Sequence, residues 1–128
     1  MTLKHGVKQM LAEANARIDT ISVHDAVSML NESEVVFVDI REQVERAQGT
    51  IPGSAHAPRA FIEFQADPES DAHNPVFSSG KRLVLFCRSG GRSALATKTL
   101  MDMGVPNVAA VAGGFAAWEA AEAPVGRP

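Results

Sequence analysis

The chain has 128 residues, 45% of them hydrophobic, which is enough for one small globular domain with a core of its own. Its formal net charge of −3, without a basic stripe or interleaved aromatic residues, argues against nucleic-acid binding. The N-terminal segment mixes charged with apolar residues, so we expect neither a signal peptide nor a membrane span there. A single cysteine excludes an internal disulfide, and we expect a cytoplasmic protein.

The first half of the chain alternates between helical and strand patterns. Apolar residues at helical spacing from Leu3 to Ile18 predict an amphipathic helix over residues 1–18, appended to a domain over residues 19–124. The elements predicted next are all short: a strand at 21–22, a helix over 24–30, a strand over 35–39, a polar helix over 42–48 and a strand at 55–57.

The second half begins irregularly and then becomes regular. Prolines and small polar residues over 59–80 predict a loop that contains one short helix at 61–65. The elements predicted after it are a strand over 83–87, a helix over 92–103, a strand over 108–111 and a helix over 115–121. Short apolar strands that alternate with helices predict an α/β fold: a mostly parallel sheet of about five strands, with helices on both faces.

The segment after the strand at 83–87 suits a reactive thiolate. It comprises Cys87, Arg88, Ser89, Gly90, Gly91, Arg92 and Ser93. Because Gly90 and Gly91 tolerate positive φ, successive backbone N–H groups can converge on one point. Those groups, the start of the next helix and the two arginines all favour negative charge at the sulfur. Ser93 is a candidate cap for that helix.

The alternative for Cys87 is a buried structural thiol, since free cysteine packs as a small hydrophobe. A strand end, two glycines, two arginines and a helix start within seven residues are hard to explain by packing alone. In open parallel sheets, ligands bind beyond the carboxyl ends of the strands, which is where this cysteine is predicted to lie. We therefore predict that Cys87 is catalytic.

Four segments resemble the signature motifs of one enzyme family. Residues 87–93 resemble the active-site loop of rhodanese-type sulfurtransferases, in which a cysteine opens a six-residue loop. Residues 35–42 resemble the family's strand ending in Asp-x-Arg, and residues 49–56 its Gly-His-Ile-Pro-Gly-Ala segment, with Thr50 replacing the usual histidine. Residues 113–118 resemble its closing Gly-Gly-Phe/Trp-x-x-Trp motif. The chain is thus identified as a single-domain rhodanese-like sulfurtransferase.

The resemblance implies a two-step sulfur relay without cofactor or metal. Cys87 takes the outer sulfur of a small anionic donor such as thiosulfate, and the loop amides stabilise the resulting persulfide. A thiophilic acceptor then removes the sulfur: cyanide, glutathione or another protein's thiol. Asp39 and Arg41 are supporting residues by the same resemblance, with Asp39 holding the loop through Arg92 or the loop amides. From its position alone, Asp39 is equally a cap or turn residue, and Arg41 a surface or support residue.

Several alternatives stay open at this point. Arg92 either contacts the substrate anion or supports the loop through a buried carboxylate. The N-terminal helix covers the core, docks a partner or forms a homodimer contact. A persulfide carrier or binding module is a second function class, and a cysteine-dependent phosphatase or arsenate reductase is a third. Loops of the third class resemble His-Cys-x-x-x-x-x-Arg, whereas here Phe86 precedes the cysteine and only four residues separate Cys87 from Arg92.

The histidines and the large apolar residues have simpler explanations than a functional role. The histidines at positions 5, 24, 56 and 73 match no zinc spacing, so we expect no metal site. His73, in the irregular segment, either reaches the site or is a solvated loop residue. Phe115, Trp118, Met101 and Met103 are expected to pack in the core or against helices.

Overall fold

The computed structural model of the protein describes residues 1–128 and contains one five-stranded sheet. All its strand pairs are parallel, in the order β1-β5-β4-β2-β3. The strands are β1 (Asp19–Ile21), β2 (Val35–Asp39), β3 (Ala55–His56), β4 (Arg82–Phe86) and β5 (Val108–Val111). The predicted α/β class with about five short parallel strands is therefore confirmed.

Six α-helices accompany the sheet: α1 (Val7–Arg17), α2 (Val23–Ser28), α3 (Gln43–Gln48), α4 (Ile62–Ala66), α5 (Gly91–Met103) and α6 (Gly114–Ala120). Two 3₁₀ turns, Arg59–Phe61 and Pro75–Ser78, lie in the segment predicted as mostly loop. The second turn forms because Asn74 Oδ1 accepts the Val76 N–H at 3.1 Å, with proline at the first helical position. Measured by length and hydropathy together, none of the helices qualifies as a membrane-crossing segment.

The helices cover both faces of the sheet, as the alternation along β4 shows. Leu83 and Leu85 point to the face that carries α4 and α5. Val84 and Phe86 point to the opposite face, which carries α2 and α6. Because side chains alternate along a strand, Cys87 directly after β4 points to the α5 side, and its sulfur lies at the start of that helix.

The N-terminal helix packs over only part of its length. Ala14 and Ile18 are buried against Ala94 of α5 and Ala110 of β5. The helix predicted over residues 1–18 begins only at Val7, and it covers the core only through its C-terminal turns, which lie against α5. The apolar side chains left exposed are Leu3, Val7 and Met10.

Most of the large side chains predicted to pack do so. Phe115 and Trp118 are buried, and the Trp118 ring N–H donates to the Pro124 carbonyl at 2.6 Å. Met101 packs against the core as a partly buried side chain. Met103 does not: it lies exposed in the last turn of α5, so its predicted packing role is wrong.

The strand register brings the candidate residues to one edge of the sheet. Asp39, the last residue of β2, pairs with Phe86 of β4 on one side and with His56 of β3 on the other. Cys87 follows Phe86 directly, so it leaves the sheet at the level where Asp39 ends its strand. This carboxyl edge is where the site is assembled.

Candidate active site

Cys87 lies at the centre of the loop that joins β4 to α5, with only 1% of its surface exposed. Its Sγ accepts the backbone N–H groups of Gly90 at 3.1 Å and Ser93 at 3.3 Å. The Ser93 hydroxyl lies 3.3 Å from the same sulfur. Three polar groups therefore converge on one sulfur atom at the N-terminus of α5, where the helix dipole also favours negative charge.

The start of α5 differs from the prediction in one respect. Gly90, in the left-handed conformation with φ +106°, occupies the N-cap position, so the expected capping role of Ser93 is wrong. Ser93 lies in the first turn of the helix, and its single hydroxyl proton can be donated either to the Gly90 carbonyl at 3.2 Å or to the Cys87 sulfur at 3.3 Å, of which a thiolate is the stronger acceptor. Because glycine adopts this conformation without steric penalty, the loop can turn its amides toward the sulfur.

The rest of the loop contains backbone N–H groups that form no hydrogen bond within the protein. The backbone N–H groups of Arg88, Ser89, Gly91 and Arg92 donate to no other group of the protein. Gly91 and Arg92 are half-buried, where N–H groups are normally paired, whereas Arg88 and Ser89 are exposed. A loop with several free N–H groups beside a sulfur is therefore chemically equipped to hold a second negatively charged atom.

The N-terminus of α6 supports the loop from behind. The Phe115 N–H donates to the Cys87 carbonyl at 2.8 Å, and the Ala116 N–H donates to the Arg88 carbonyl at 2.9 Å. Gly114 approaches so closely that a Cβ there would lie 2.6 Å from the Cys87 carbonyl oxygen. Its φ of +62° also favours glycine. Gly114 thus permits the close approach of α6 that holds the Cys87 carbonyl in place.

Asp39 has a role other than the one predicted from the resemblance. Its carboxylate is fully buried and accepts Arg41 N–H groups at 2.9 and 3.0 Å and the Thr50 hydroxyl at 2.8 Å. It makes no hydrogen bond to Arg92 or to the loop amides, so the predicted direct hold on the loop is wrong. Burial opposes ionisation, but the hydrogen bonds from Arg41 and Thr50 outweigh it and lower the pKa of Asp39.

Arg41 is a buried supporting residue and not a surface one. Only 2% of it is exposed, and besides Asp39 it donates to the Gly49 carbonyl at 2.7 Å. Its guanidinium carbon lies 4.4 Å from the centre of the Phe115 ring, within range of a cation–π contact. Arg41 therefore links the buried carboxylate to α6, the helix that supports the loop.

Three residues of this network escaped the sequence analysis as functional candidates. Arg46 donates to the Ser54 carbonyl at 2.8 Å, and the Thr50 hydroxyl lies 3.0 Å from that of Ser54. These contacts close the segment between α3 and β3 around Asp39. Thr50 is buried, so the residue that replaces the family's usual histidine serves as a hydrogen-bond donor to the carboxylate.

Arg92 is held by a carboxylate that sequence reasoning also missed. Its two terminal nitrogens donate to Glu45 at 3.0 and 3.1 Å. The Arg92 hydrogen bonds are the main reason why the pKa of Glu45 falls to about 2, and the pairing in turn raises the pKa of Arg92. The pair is partly exposed, so the supporting carboxylate exists but is not buried as expected. The available signal was the position of Glu45 in the first turn of the helix after β2, at the same edge of the sheet as the loop.

Arg88, directly after the cysteine, points away from the loop toward α6. Its Nη1 lies 3.4 Å from Glu119 Oε1, and both side chains are exposed. Ser89, Gly90 and Gly91 complete the loop through their backbones. The structure therefore brings together the predicted loop residues 87–93, with Asp39 and Arg41 beneath them as support.

The four histidines lie apart from one another, and no three or more His, Cys, Asp or Glu side chains are grouped to hold a metal ion. The His73 ring contacts the Gln65 carbonyl and the Ser78 hydroxyl, each at 3.0 Å, within its own loop. The idea that His73 reaches the site is therefore wrong. The His56 ring, 2.8 Å from the Arg41 carbonyl, is the histidine nearest the network in the hydrogen-bond pattern.

Comparison with known proteins agrees with this geometry. The family described as the rhodanese-like domain matches residues 22–121 of the chain. The chain belongs to the rhodanese-like family. One rhodanese-like relative, human thiosulfate:glutathione sulfurtransferase, is 30% identical over 105 residues, covering 77% of this chain and 91% of that protein. A thiosulfate sulfurtransferase of Pseudoalteromonas translucida is 32% identical over 102 residues, covering 79% of this chain and 89% of its own. These relatives support a sulfurtransferase of the rhodanese type.

Solved structures of rhodanese-like proteins share the fold. A rhodanese-related protein from Thermoplasma volcanium superposes with a TM-score of 0.70 at 24% identity, over 86% of this chain and 99% of that one. A Rhodopseudomonas palustris protein of unknown function, described as a possible tyrosine phosphatase, gives a TM-score of 0.94 at 43% identity, over 98% of both chains. The latter match extends beyond the rhodanese-like region and includes α1.

Proposed function

We propose that the protein is a sulfurtransferase that moves a sulfane sulfur from thiosulfate, or a similar persulfide donor, through a Cys87 persulfide to a thiophilic acceptor. One observation carries the proposal. The sulfur of Cys87 accepts the Gly90 and Ser93 N–H groups at 3.1 and 3.3 Å, while four other N–H groups of the same loop have no partner. The loop thus stabilises one anionic sulfur, and its unpaired N–H groups are available as hydrogen-bond donors to a second.

The first step forms the persulfide. The Cys87 thiolate attacks the outer sulfur of thiosulfate, a sulfur–sulfur bond forms, and the bond to the inner sulfur breaks with its electron pair leaving on sulfite. The negative charge then lies on the outer sulfur of the persulfide. Hydrogen bonds to a charged group contribute about 1.5–3 kcal/mol each, so the unpaired loop amides supply stabilisation that a buried thiolate alone does not use.

The second step returns the enzyme to its first state. The acceptor attacks the outer sulfur, the bond between the two sulfurs of the persulfide breaks, and its electron pair returns to Cys87. Cyanide gives thiocyanate, and a thiolate gives a new persulfide. Covalent catalysis of this kind divides one transfer into two separate displacements.

The supporting residues act on the loop through other groups. Glu45 holds the Arg92 guanidinium beside the loop at 3.0 and 3.1 Å, which makes it a positioning residue. Asp39 and Arg41 act on the loop indirectly, through Phe115. The Arg41 guanidinium stacks on the Phe115 ring, and the Phe115 N–H donates to the Cys87 carbonyl. We propose no metal or organic cofactor, because the reaction needs only the cysteine and donors of hydrogen bonds.

Phosphatase activity is the competing enzymatic function, because the Rhodopseudomonas palustris protein is described as a possible tyrosine phosphatase. A phosphatase loop needs an arginine whose N–H groups are free to bind a tetrahedral oxyanion. In this chain both terminal nitrogens of Arg92 donate to Glu45. Phe86 precedes the cysteine at the position where those enzymes have histidine. The geometry therefore favours transfer of a single sulfur.

Steady-state kinetics test the proposal. Thiocyanate formation is measured while thiosulfate and cyanide are varied, and p-nitrophenyl phosphate hydrolysis is measured in parallel. We expect the parallel double-reciprocal lines of a ping-pong mechanism for the wild type, no thiocyanate with Cys87→Ser, and no phosphate release. Cys87-dependent phosphate release without thiocyanate would replace the proposal by a phosphatase. Loading by glutathione persulfide but not by thiosulfate would indicate a persulfide carrier.

A further inference from the structure

The residues that follow α6, 122–126, turn back toward the segment that supports Asp39, and we call them the return segment. Gly126 and Thr50 form an isolated antiparallel bridge. The Thr50 N–H donates to the Gly126 carbonyl at 2.9 Å, and the Gly126 N–H donates to the Thr50 carbonyl at 2.8 Å. Because the family match ends at residue 121, one partner of this bridge lies outside the matched region.

The return segment is also attached to α6. Trp118 of that helix is fully buried, and its ring N–H donates to the Pro124 carbonyl at 2.6 Å. Between this contact and the bridge, Val125 packs directly on Gly49: a Cβ built on Gly49 would lie 3.0 Å from Val125 Cγ1. The return segment therefore connects α6 with the backbone of Gly49 and Thr50.

Gly49 and Thr50 are the residues that complete the hydrogen bonds of the buried Asp39–Arg41 pair. The Thr50 hydroxyl donates to Asp39 at 2.8 Å, and the Gly49 carbonyl accepts an Arg41 N–H at 2.7 Å. Arg41 in turn lies against the ring of Phe115 in α6, the helix from which the return segment starts. The contacts thus form a closed ring from α6 through the return segment, residues 49–50 and Arg41 back to α6.

We propose that the return segment is a positioning element of the active site, which keeps the Cys87 loop in its reactive geometry by holding residues 49–50 against the Asp39–Arg41 pair. The ring of contacts reaches the loop because the Phe115 N–H donates to the Cys87 carbonyl at 2.8 Å. Small displacements of a reacting group lower its rate, so release of the return segment should slow sulfur loading. This inference rests on the proposed function, because its measure is the loading of Cys87 by thiosulfate.

The test compares two substitutions at one glycine. Gly126→Pro removes the N–H that the Thr50 carbonyl accepts, whereas Gly126→Ala keeps it. The Cβ of the alanine would lie 3.4 Å or more from Pro52, an ordinary contact distance. Deletion of residues 124–128 removes the bridge outright. Gly80→Ala, in an exposed turn outside these contacts, controls for a general loss of stability.

The readout is the rate at which thiosulfate loads Cys87 with sulfur in each folded protein, followed by intact mass. A double-mutant cycle with Thr50→Val separates positioning from loss of stability, because valine keeps the backbone of residue 50 and loses the hydroxyl that binds Asp39. If the return segment acts through that hydroxyl, Gly126→Pro should have a smaller effect in the Thr50→Val background. A role limited to stability gives the same factor in both backgrounds.

We expect Gly126→Pro and the deletion to slow loading by about fivefold, within the range that one hydrogen bond supplies, and both alanine variants to load within about twofold of the wild type. In the Thr50→Val background the factor for Gly126→Pro should fall below about twofold. Loading at the wild-type rate by Gly126→Pro and the deletion, or an undiminished factor in Thr50→Val, would overturn the inference while leaving the proposed function intact. Failure of the wild type to load from thiosulfate or glutathione persulfide would instead overturn the proposed function.

Discussion

Gly114 is the residue whose substitution tests most sharply how the loop is held. Its φ is +62°, where alanine costs roughly 1–2 kcal/mol. An added Cβ would lie 2.6 Å from the Cys87 carbonyl oxygen and 2.8 Å from backbone atoms of Arg88. Because the opposing atoms belong to the backbone, relief requires the loop itself to move, and such overpacking costs roughly 1–3 kcal/mol. We expect Gly114→Ala to lower the free energy of unfolding by roughly 2–5 kcal/mol.

Gly80→Ala separates the two causes. Gly80 has φ +78°, close to that of Gly114, but nothing lies within 4 Å of a Cβ built there. Urea unfolding should show a loss of only roughly 1–2 kcal/mol for this control. Loading of Cys87 by thiosulfate should be normal in Gly80→Ala and at least about tenfold slower in Gly114→Ala, since small displacements of reacting groups are costly. Equal behaviour of the two variants in both assays would refute the close-approach argument.

Four further predictions follow from the same contacts. Asp39→Asn should destabilise the protein by roughly 3–5 kcal/mol in urea, because it leaves buried Arg41 unpaired; since folding lowers the pKa of this carboxyl, its contribution is complete above its unfolded value of 3.8 and lost as pH falls through the lowered one. Glu45→Gln should slow thiosulfate loading while Glu45→Asp restores part of it, and equal rates in all three proteins would exclude a positioning role. Ser93→Ala should slow loading roughly tenfold, the effect of one hydrogen bond to a charged group, without loss of folding by circular dichroism. Deleting residues 1–18 should lower the melting temperature more than the loading rate, and preserved melting with lost transfer would contradict this.

The elements of the fold were predictable because their signals are local. Apolar runs such as 35–38 and 83–86 each begin directly after a charged residue, and the helices between them have helical spacing. The same locality made the loop recognisable, since Cys87 to Ser93 is one continuous segment. The appended helix shows the limit: its spacing predicts an apolar face, but only tertiary packing decides that Ala14 is covered and Val7 is not.

The partners of the site residues were not predictable, because they depend on strand register. Glu45 and Arg92 are 47 residues apart and meet only because β2 and β4 are neighbours that end at the same level. The Asp39 carboxylate accepts hydrogen bonds from Arg41 and Thr50, which are close to it in sequence, and not from the loop. A sequence pattern identifies which side chains carry charge, and the fold decides which charges cancel.

The most direct test of the central claim is the intact mass of the protein after incubation with thiosulfate and again after cyanide. The account predicts that the wild type gains the mass of one sulfur atom and loses it to cyanide, while folded Cys87→Ser gains nothing. No gain by the folded wild type with thiosulfate or glutathione persulfide would contradict the claim that this loop carries a persulfide. An equal gain by Cys87→Ser would contradict the assignment of Cys87 as the carrier.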